Sequence, residues 1–391
     1  MDNLKELFAK VPSEYQWPVE FCAVVTVVVW VASLITSNVS QVDRLWTFLP
    51  FIYTAYYALL PLWPQEPSFF LCPYTPKSLG WATARDFSPR AVLMLGLIFL
   101  WMIRLSYNTN RRGLFRLQDE DYRWAVLRTK VPQWLFQIIN LTFIAATQNV
   151  LLLLLSFPTK VASTFQPHSP LATSDYILAV LALVDLAFEF TADNQQWAFH
   201  QYKHAYLPAE SENGTSVEPY DKKKQWLGAR LDFTPADAKR GFVTRGLWAY
   251  SRHPNFLCEQ FFWWIITFFP FLSPPEPNFI FTSFPWHLVP SLSAILQNFP
   301  YTLYPLLSHL SEPLSDFVPA LALSSLFFSS TLFTESISVG KYPKEYKAYQ
   351  ERVGMFSPLR TWEKGLVLAW RGRKKEVDDI VWGEGNKEKK E

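Results

Sequence analysis

The sequence predicts an all-α membrane protein, a polytopic helix bundle with about seven transmembrane helices. Half of the 391 residues are apolar, only 18% are charged, and the chain contains 17 Trp and 33 Phe. The apolar residues are concentrated in long runs, and a hydrocarbon core about 30 Å thick requires roughly 20 such residues per helix. A soluble enzyme of this length would not hide so much apolar surface in so few runs. We therefore expect an integral membrane protein.

The expected spans follow the apolar runs in chain order. They are 20–37, 45–63, 91–107, 134–156, 174–191, 256–272 and 317–334. The stretch 278–310 is also apolar, but four prolines interrupt it, which fits re-entrant pieces or two short spans. We divide the chain into an N-terminal segment at 1–19, a membrane domain at 20–360 with a loop insertion near 205–225, and a charged tail at 361–391.

The positive charges predict an orientation. Of the 36 Lys and Arg residues, 28 fall in the segments 108–133, 193–255 and 336–391. Cytosolic loops carry such an excess, so we expect a lumenal N-terminus and a cytosolic C-terminus. Lysines at the third and fifth positions from the end, Lys389 and Lys387, have the spacing of a retrieval signal for the endoplasmic reticulum. A solvated basic tail is an equally good interpretation of this pattern.

Composition also excludes several classes. A net charge of +2 and the low charge content argue against a disordered chain and against a nucleic-acid binder that relies on bulk electrostatics. The three cysteines are far apart and form no zinc or disulfide pattern. His200 and His204 are four residues apart, but six histidines without a His-x-x-His-His box make a metal site improbable, so we expect no metal. No Gly-rich nucleotide loop or serine esterase motif is present.

The segment from Arg245 to Glu259 contains the strongest site candidate. Arg252, His253 and Asn255 directly precede an aromatic span, and Glu259 shares a helix face with Asn255. A carboxylate one turn inside a span costs on the order of 2 kcal/mol unless it has a partner. We interpret the segment as a polar site at the membrane surface. The alternative is that these residues face lipid phosphates.

Two further polar clusters lie near the ends of expected spans. Arg104, Arg111, Arg112 and Arg116 place several guanidinium groups within thirteen residues, enough to hold phosphate groups bidentately. The alternative is charge that only sets topology. Glu189 and Asp193 lie four residues apart and repel each other unless donors are near, so each predicts a hydrogen-bonding partner.

Several blocks together resemble a known family. They are Gly-Leu-Trp-Ala-Tyr-Ser-Arg-His-Pro-Asn-Phe at 246–256, Asp-Arg-Leu-Trp at 43–46, the run 104–123, Glu189 with Asp193 and Gln195, and the tyrosine-rich segment 342–358. In these blocks the chain resembles the DUF1295 group of the steroid 5α-reductase superfamily of membrane reductases. That superfamily also includes sterol C14 reductases and, more distantly, isoprenylcysteine carboxyl methyltransferases.

The resemblance implies NADPH as the cofactor and a hydrophobic lipid or sterol held in the bilayer as the substrate. Together with the charges, it assigns phosphate binding to Arg104, Asn110, Arg112, Arg245 and Arg252. It assigns the ribose or the nicotinamide amide to Asp193, Asn255 and Glu259, and the lining of the site to Tyr250 and His253.

The proton donor is less well defined by the resemblance. The family often has a tyrosine three residues before the arginine that closes the third span, and Trp101 stands there in this chain. Because an indole cannot protonate a carbonyl, the acid must come from elsewhere or the substrate must differ. The candidate catalytic residues are Tyr107, Glu66 and Asp43.

Two other functions remain open. One is an S-adenosylmethionine-dependent methyltransferase of lipid or prenylcysteine, because that branch shares Arg-His-Pro and a downstream Glu. The other is a non-catalytic lipid-binding membrane protein. The arginine-rich run 104–116 and Asn255 with Glu259 favour a dinucleotide that carries a phosphate.

Overall fold

The structure, a computed structural model, describes residues 11–165, 168–207, 219–272, 289–299, 301–305, 307–308 and 315–383. Within these ranges all regular elements are helical and no strand occurs, so the predicted all-α class is confirmed. Much of the expected loop insertion, parts of 278–310 and the C-terminal lysine pattern lie outside the described residues.

Helices of the N-terminal half are mostly short, apart from two long ones. They are α1 (Ser13–Thr36), α2 (Gln41–Leu45), α3 (Leu49–Ala58), α4 (Gly80–Arg85), α5 (Pro89–Arg111), α6 (Tyr122–Lys130), α7 (Gln133–Ile139), a π-helical segment (Asn140–Thr147), α8 (Gln148–Leu154) and α9 (Phe157–Thr164). 3₁₀ turns occupy Leu60–Leu62 and Lys77–Leu79. The start of α5 follows from its sequence, because the Ser88 hydroxyl accepts from the Ala91 amide and Pro89 stands at a first-turn position.

The second half combines long helices with short polar ones. They are α10 (Thr173–Tyr206), α11 (Pro235–Arg240), α12 (Pro254–Phe271), α13 (Leu292–Asn298), α14 (Val318–Lys341), α15 (Pro343–Arg352), α16 (Pro358–Trp370) and α17 (Lys374–Trp382). 3₁₀ turns occupy Lys222–Lys224, Leu227–Ala229, Gly246–Ala249 and Tyr301–Leu303. A proline begins α11, α12, α15 and α16, where its missing N–H is not needed.

Among the described residues, four helical stretches are long and apolar enough to cross a membrane: α1, α5, the stretch Gln133–Thr164, and α14. They identify the chain as an integral membrane protein. The seven-span count and the orientation are not confirmed and stay predictions. The expected span at 45–63 coincides with α3, whose 10 residues extend only about 15 Å. The expected span at 174–191 lies within α10, and the span at 256–272 falls on α12 except for its last residue.

The chain divides into two compact units. The first comprises Met1–Leu183 and Trp263–Ser324, and the second comprises Val184–Phe262 and Ser325–Glu391. In the first unit, α3 packs against α5 and α9, and the Trp17 and Tyr56 rings stack at 4.5 Å. A fully buried ion pair joins Arg90 at the start of α5 to Asp175 at the start of α10, with N–O distances of 2.8 and 2.9 Å.

The second unit has its own apolar core. It is built from α15, α16 and α17 and centres on Tyr346, Tyr349, Val353, Leu368 and Val377. Residues 361–382 of the expected charged tail are therefore largely helical and packed. The Tyr349 hydroxyl donates to the Trp248 carbonyl, which attaches this core to the segment that contains the site candidates.

Candidate functional site

The first part of the site is a turn that follows α11. Thr234 and Asp237 form a capping box at the start of α11, and the helix ends at Gly241 with a φ of 87°. Asp237 also accepts from Arg240 and from Arg245, both at 2.6 Å. Burial alone would raise the pKa of Asp237, but the hydrogen bonds from Arg245, Thr234 and Arg240 outweigh it and hold that pKa below its usual range. The ionised carboxylate thus fixes Arg245.

Arg245 lines a surface groove of the second unit with a volume of about 450 Å³. The residues that line it are Leu231, Asp232, Thr244, Arg245, Gly246, Ala249 and Trp382. The Arg245 side chain is 29% exposed, so the guanidinium group belongs to the groove wall and remains accessible to solvent. The groove therefore offers a cation, hydroxyl and carboxylate groups and an indole in one place.

The floor of the groove rests on α10. Gly246 has a φ of 66°, and a side chain there would collide with Gln195. Gln195 accepts from the Leu247 amide at 2.8 Å and donates to the Gly228 carbonyl at 2.8 Å. This glutamine therefore joins the groove to the polar end of α10, two residues beyond Asp193.

One wall of the groove comes from the C-terminal helix α17. The Trp382 indole donates to the Thr244 carbonyl at 2.8 Å, and Arg240 donates to the Ile380 carbonyl at 3.1 Å. Trp382 was not predicted as a site residue because it lies in the expected charged tail. A tryptophan at the end of a short amphipathic run was the available signal.

Arg252 forms a buried ion pair with Glu335, a residue that sequence analysis also missed. Arg252 Nε and one Nη donate to the two Glu335 oxygens at 2.7 and 3.0 Å. The other Nη donates to the carbonyls of Gln350 and Val353. Gln350 in turn donates to Glu335 at 2.8 Å. Protein acceptors thus engage most donors of Arg252. An acid directly after the expected span 317–334 was the signal for Glu335.

His253 belongs to the same network. Its Nε2 lies 2.9 Å from Glu335 Oε1, and because a carboxylate only accepts, Nε2 carries the proton. Burial lowers the pKa of His253 below its usual value, although the hydrogen bond to Glu335 and that residue's charge act in the opposite direction. The neutral ring is therefore favoured, with Nδ1 as an acceptor.

Asp193 and Asn255 form a second buried pair. The Asn255 amide donates to Asp193 at 3.1 Å, and the two residues are 3% and 9% exposed. The donor that Asp193 was expected to need is thus an amide of this chain. Asn255 and Glu259 both lie on α12, as the spacing predicted, and Glu259 is 5% exposed. Tyr250, in contrast, is 63% exposed.

The remaining cofactor candidates lie in the first unit. Arg104 is buried on α5, whereas Asn110 and Arg112 are exposed at its end. The Arg111 guanidinium lies over the Tyr107 ring, 5.1 Å from its centroid. Trp101 is fully buried and packs edge-on against Trp263, with ring centroids 5.1 Å apart. Trp101 therefore fills the core where the resembled reductases carry their acid.

The other two acid candidates differ in environment. Glu66 is 77% exposed and pairs with Lys77 at 2.5 Å. Asp43 accepts from the Trp124 indole at 2.9 Å. Burial raises the pKa of Asp43, and its hydrogen bonds with Ser40 and Trp124 only partly offset that effect. Of the two carboxyl groups, only Asp43 is disposed to keep a proton.

A family model described as "Protein of unknown function (DUF1295)" matches residues 29–277. The chain belongs to the DUF1295 family. It is 29% identical over 333 residues to an uncharacterized protein of Schizosaccharomyces pombe, C594.04c, a match that covers 85% of this chain and 76% of the relative. No solved structure matches the chain.

The DUF1295 match includes every site residue predicted from the sequence. It ends before Glu335 and Trp382, so two residues that complete the buried network and the groove lie beyond it. Among the described residues no group of three His, Cys, Asp or Glu side chains could hold a metal ion. The expectation of no metal stays a prediction.

Proposed function

We propose that this DUF1295 protein is a membrane oxidoreductase that uses NADPH to reduce a carbon–carbon double bond in a steroid, sterol-like or other lipid. The proposal rests on the polar and charged side chains that the segment 244–255 brings together. This segment lines a groove with an arginine and, within ten residues, supplies a buried histidine, an ion-paired arginine and the asparagine that pairs with Asp193. Residence in the endoplasmic reticulum is part of the proposal.

The donor chemistry of these residues fits a phosphate-bearing dinucleotide. The Arg245 guanidinium suits a phosphate, and the Trp382 indole suits a base, although the Arg352 guanidinium already lies over that ring, 5.1 Å from its centroid. Asp193, Asn255 and Glu259 offer the carboxylate and amide groups that recognise ribose hydroxyls and a nicotinamide amide. In the first unit, Arg104, Asn110 and Arg112 are proposed as further cofactor contacts. The exposed guanidinium of Arg112 is accessible to a phosphate.

Arg252 and His253 are assigned a positioning role within this site. Arg252 makes four hydrogen bonds to protein acceptors, so a phosphate would have to displace one of them. By holding Glu335 and the backbone at Val353, Arg252 fixes the start of α12, where Asn255 lies. Tyr250 is exposed and is proposed to line the entrance.

When bound, NADPH supplies a hydride to one carbon of the double bond. The other carbon must receive a proton, either directly or through a conjugated oxygen. The proposed donors are Asp43, whose pKa burial raises, and Tyr107, whose phenol is 44% exposed. Glu66 is the weakest of the three candidates because it is solvent-exposed and ion-paired with Lys77.

Hydride transfer tests the proposal directly. The purified protein is incubated with NADPH deuterated at the transferred position and a membrane lipid extract, and lipids are then analysed by mass spectrometry. We expect a lipid that gains one deuterium and one proton across a former double bond. Asp43→Asn, Tyr107→Phe or Glu66→Gln should lower the rate at least about tenfold if that residue supplies the proton, and Glu351→Gln, at the partly exposed pair with Arg373, is the control.

The alternative functions give different results when labelled S-adenosylmethionine is added to the same incubation. Transfer of a labelled methyl group from S-adenosylmethionine, with no deuterium incorporation, would make the protein a methyltransferase. Lipid binding with neither transfer would support the non-catalytic alternative.

A further inference from the structure

The helix α16 carries an apolar stripe on its outer side. Leu359, Trp362, Leu366 and Trp370 are 79%, 69%, 52% and 87% exposed. Their spacing of three, four and four residues places them along one side of the helix. The opposite side faces the second unit, because Thr361 and Leu368 are buried. The stripe is therefore the outward-facing surface of a helix whose other side packs against the rest of the second unit.

Cationic residues follow this stripe. Arg371, Arg373, Lys374 and Lys375 provide four positive charges within five residues, and all four side chains are exposed. Only Arg373 among them has ion-pair partners in the described structure, Glu351 and Glu376. An exposed helix face of tryptophan and leucine, with a basic cluster directly beyond its end, has the composition of segments that lie in a membrane interface.

We propose that α16 is an in-plane membrane anchor, with the stripe in the bilayer interface and anionic lipid headgroups at the cationic cluster 371–375. Three observations favour a bilayer over a protein partner. The stripe ends in an exposed tryptophan, a residue enriched at headgroup level. The adjacent charge is complementary to anionic lipid. The chain also enters α16 soon after the candidate span α14, with only α15 and a short loop between them.

The anchor is also attached to the turn that precedes α12. Thr361 donates through its hydroxyl to the Tyr250 carbonyl and accepts from the Gly354 amide. An anchored α16 therefore fixes the depth of Tyr250 and its neighbours at the membrane surface. The depth of this turn does not depend on the proposed reaction.

Spin-label accessibility tests the anchor in the full-length protein reconstituted in phosphatidylcholine vesicles that contain phosphatidylserine. Single cysteines replace Leu359, Trp362 or Leu366, and Lys347→Cys and Asp379→Cys are the exposed controls on α15 and α17. Wild-type protein treated in the same way corrects for label on native cysteines. We expect oxygen to relax the three stripe labels more than a water-soluble nickel complex does, and the reverse at the controls.

Two outcomes would overturn the anchor. Stripe labels that are as accessible to nickel as the controls would place the stripe in water. Stripe labels protected from both reagents would mean that protein covers the stripe, and spin–spin broadening would then identify a second copy of this chain as the cover.

A second measurement tests the cationic cluster. Lys374→Gln with Lys375→Gln is compared with Lys344→Gln with Lys347→Gln, which removes two exposed lysines from α15. Adding phosphatidylserine should move the Trp362→Cys label deeper in the wild-type background and in the α15 variant, but less in the 374/375 variant. An equal response in both variants would contradict lipid binding by the cluster.

Discussion

Two buried arginines make the same bidentate contact in different surroundings. Arg90 pairs with Asp175 in the first unit, and Arg252 pairs with Glu335 in the second. The Arg90 pair also contacts the Pro170 carbonyl and the Ala172 amide, so it ties two helix starts together. The pair at Arg252 also includes a histidine and lies next to an Asp–Asn pair. Because it has a titratable neighbour, the Arg252 pair is the better candidate for a functional site.

The largest expected loss of stability comes from breaking the Arg90–Asp175 ion pair. Asp175→Ala leaves Arg90 buried without its carboxylate, which should cost about 3–5 kcal/mol of stability. A thermal melt of the detergent-solubilised protein measures this loss, and NADPH should stabilise the remaining folded variant as it does the wild type. Glu351→Gln, at the partly exposed pair with Arg373, is the control and should melt close to the wild type. If Asp175→Ala melted at the same temperature as the wild type, the structural role of the pair would be contradicted.

At the Arg252–Glu335 pair we expect a smaller loss of stability, together with a loss of NADPH affinity. Glu335→Gln keeps the shape but weakens charge-assisted hydrogen bonds from Arg252 and His253, which should cost about 1.5–3 kcal/mol. Because Arg252 positions the start of α12, NADPH affinity should also fall. Measuring the apo melt and NADPH affinity on this one variant separates stability from binding. Reduced stability with unchanged affinity would give Arg252 the same purely structural role as Arg90.

The next largest effect is expected at Trp382 in the groove wall. Trp382→Phe removes the indole hydrogen bond to Thr244 and should cost about 1 kcal/mol. NADPH affinity should fall several-fold because the wall next to Arg245 loosens. Trp370→Phe, at a tryptophan that is 87% exposed, is the matched control. If both variants bind NADPH equally well, Trp382 does not belong to the cofactor site.

The smallest expected effect is on pH dependence. In the folded protein, burial lowers the pKa of His253 below its ordinary value of 6.5. At a pH below 6.5 the unfolded chain therefore binds the proton more readily than the folded protein does. Stability should fall as the pH drops through 6.5 toward the folded pKa, by at most about 1.4 kcal/mol per pH unit. The difference between wild-type and His253→Gln melts at pH 7 and pH 5.5 isolates this contribution. A difference that does not change with pH would contradict it.

Sequence patterns predicted the helical class and the position of the polar segment. The shared face of Asn255 and Glu259 followed from helical spacing, and Asp193 has the donor that its repulsion with Glu189 required. These features are local or arise from the cost of burying charge, so one sequence is enough to infer them.

Long-range partners could not be predicted in the same way. Glu335 lies about eighty residues beyond Arg252, and Trp382 lies well over one hundred residues beyond Thr244. No periodicity connects positions so far apart, because their contact depends on how α14, α15 and α17 pack. Asp43 illustrates the same limit, since its hydrogen bond with Trp124 joins two motifs that are separate in sequence.

The nucleotide that stabilises the detergent-solubilised protein tests the central claim most directly. We expect NADPH to raise the melting temperature. At a concentration near 100 times its dissociation constant, it should add about 2.7 kcal/mol to the free energy of unfolding. NADH should stabilise less because it lacks the 2′-phosphate, and S-adenosylmethionine should have no effect. Stabilisation by S-adenosylmethionine alone would contradict the reductase and favour the methyltransferase, and stabilisation by none of the three would favour a non-catalytic protein.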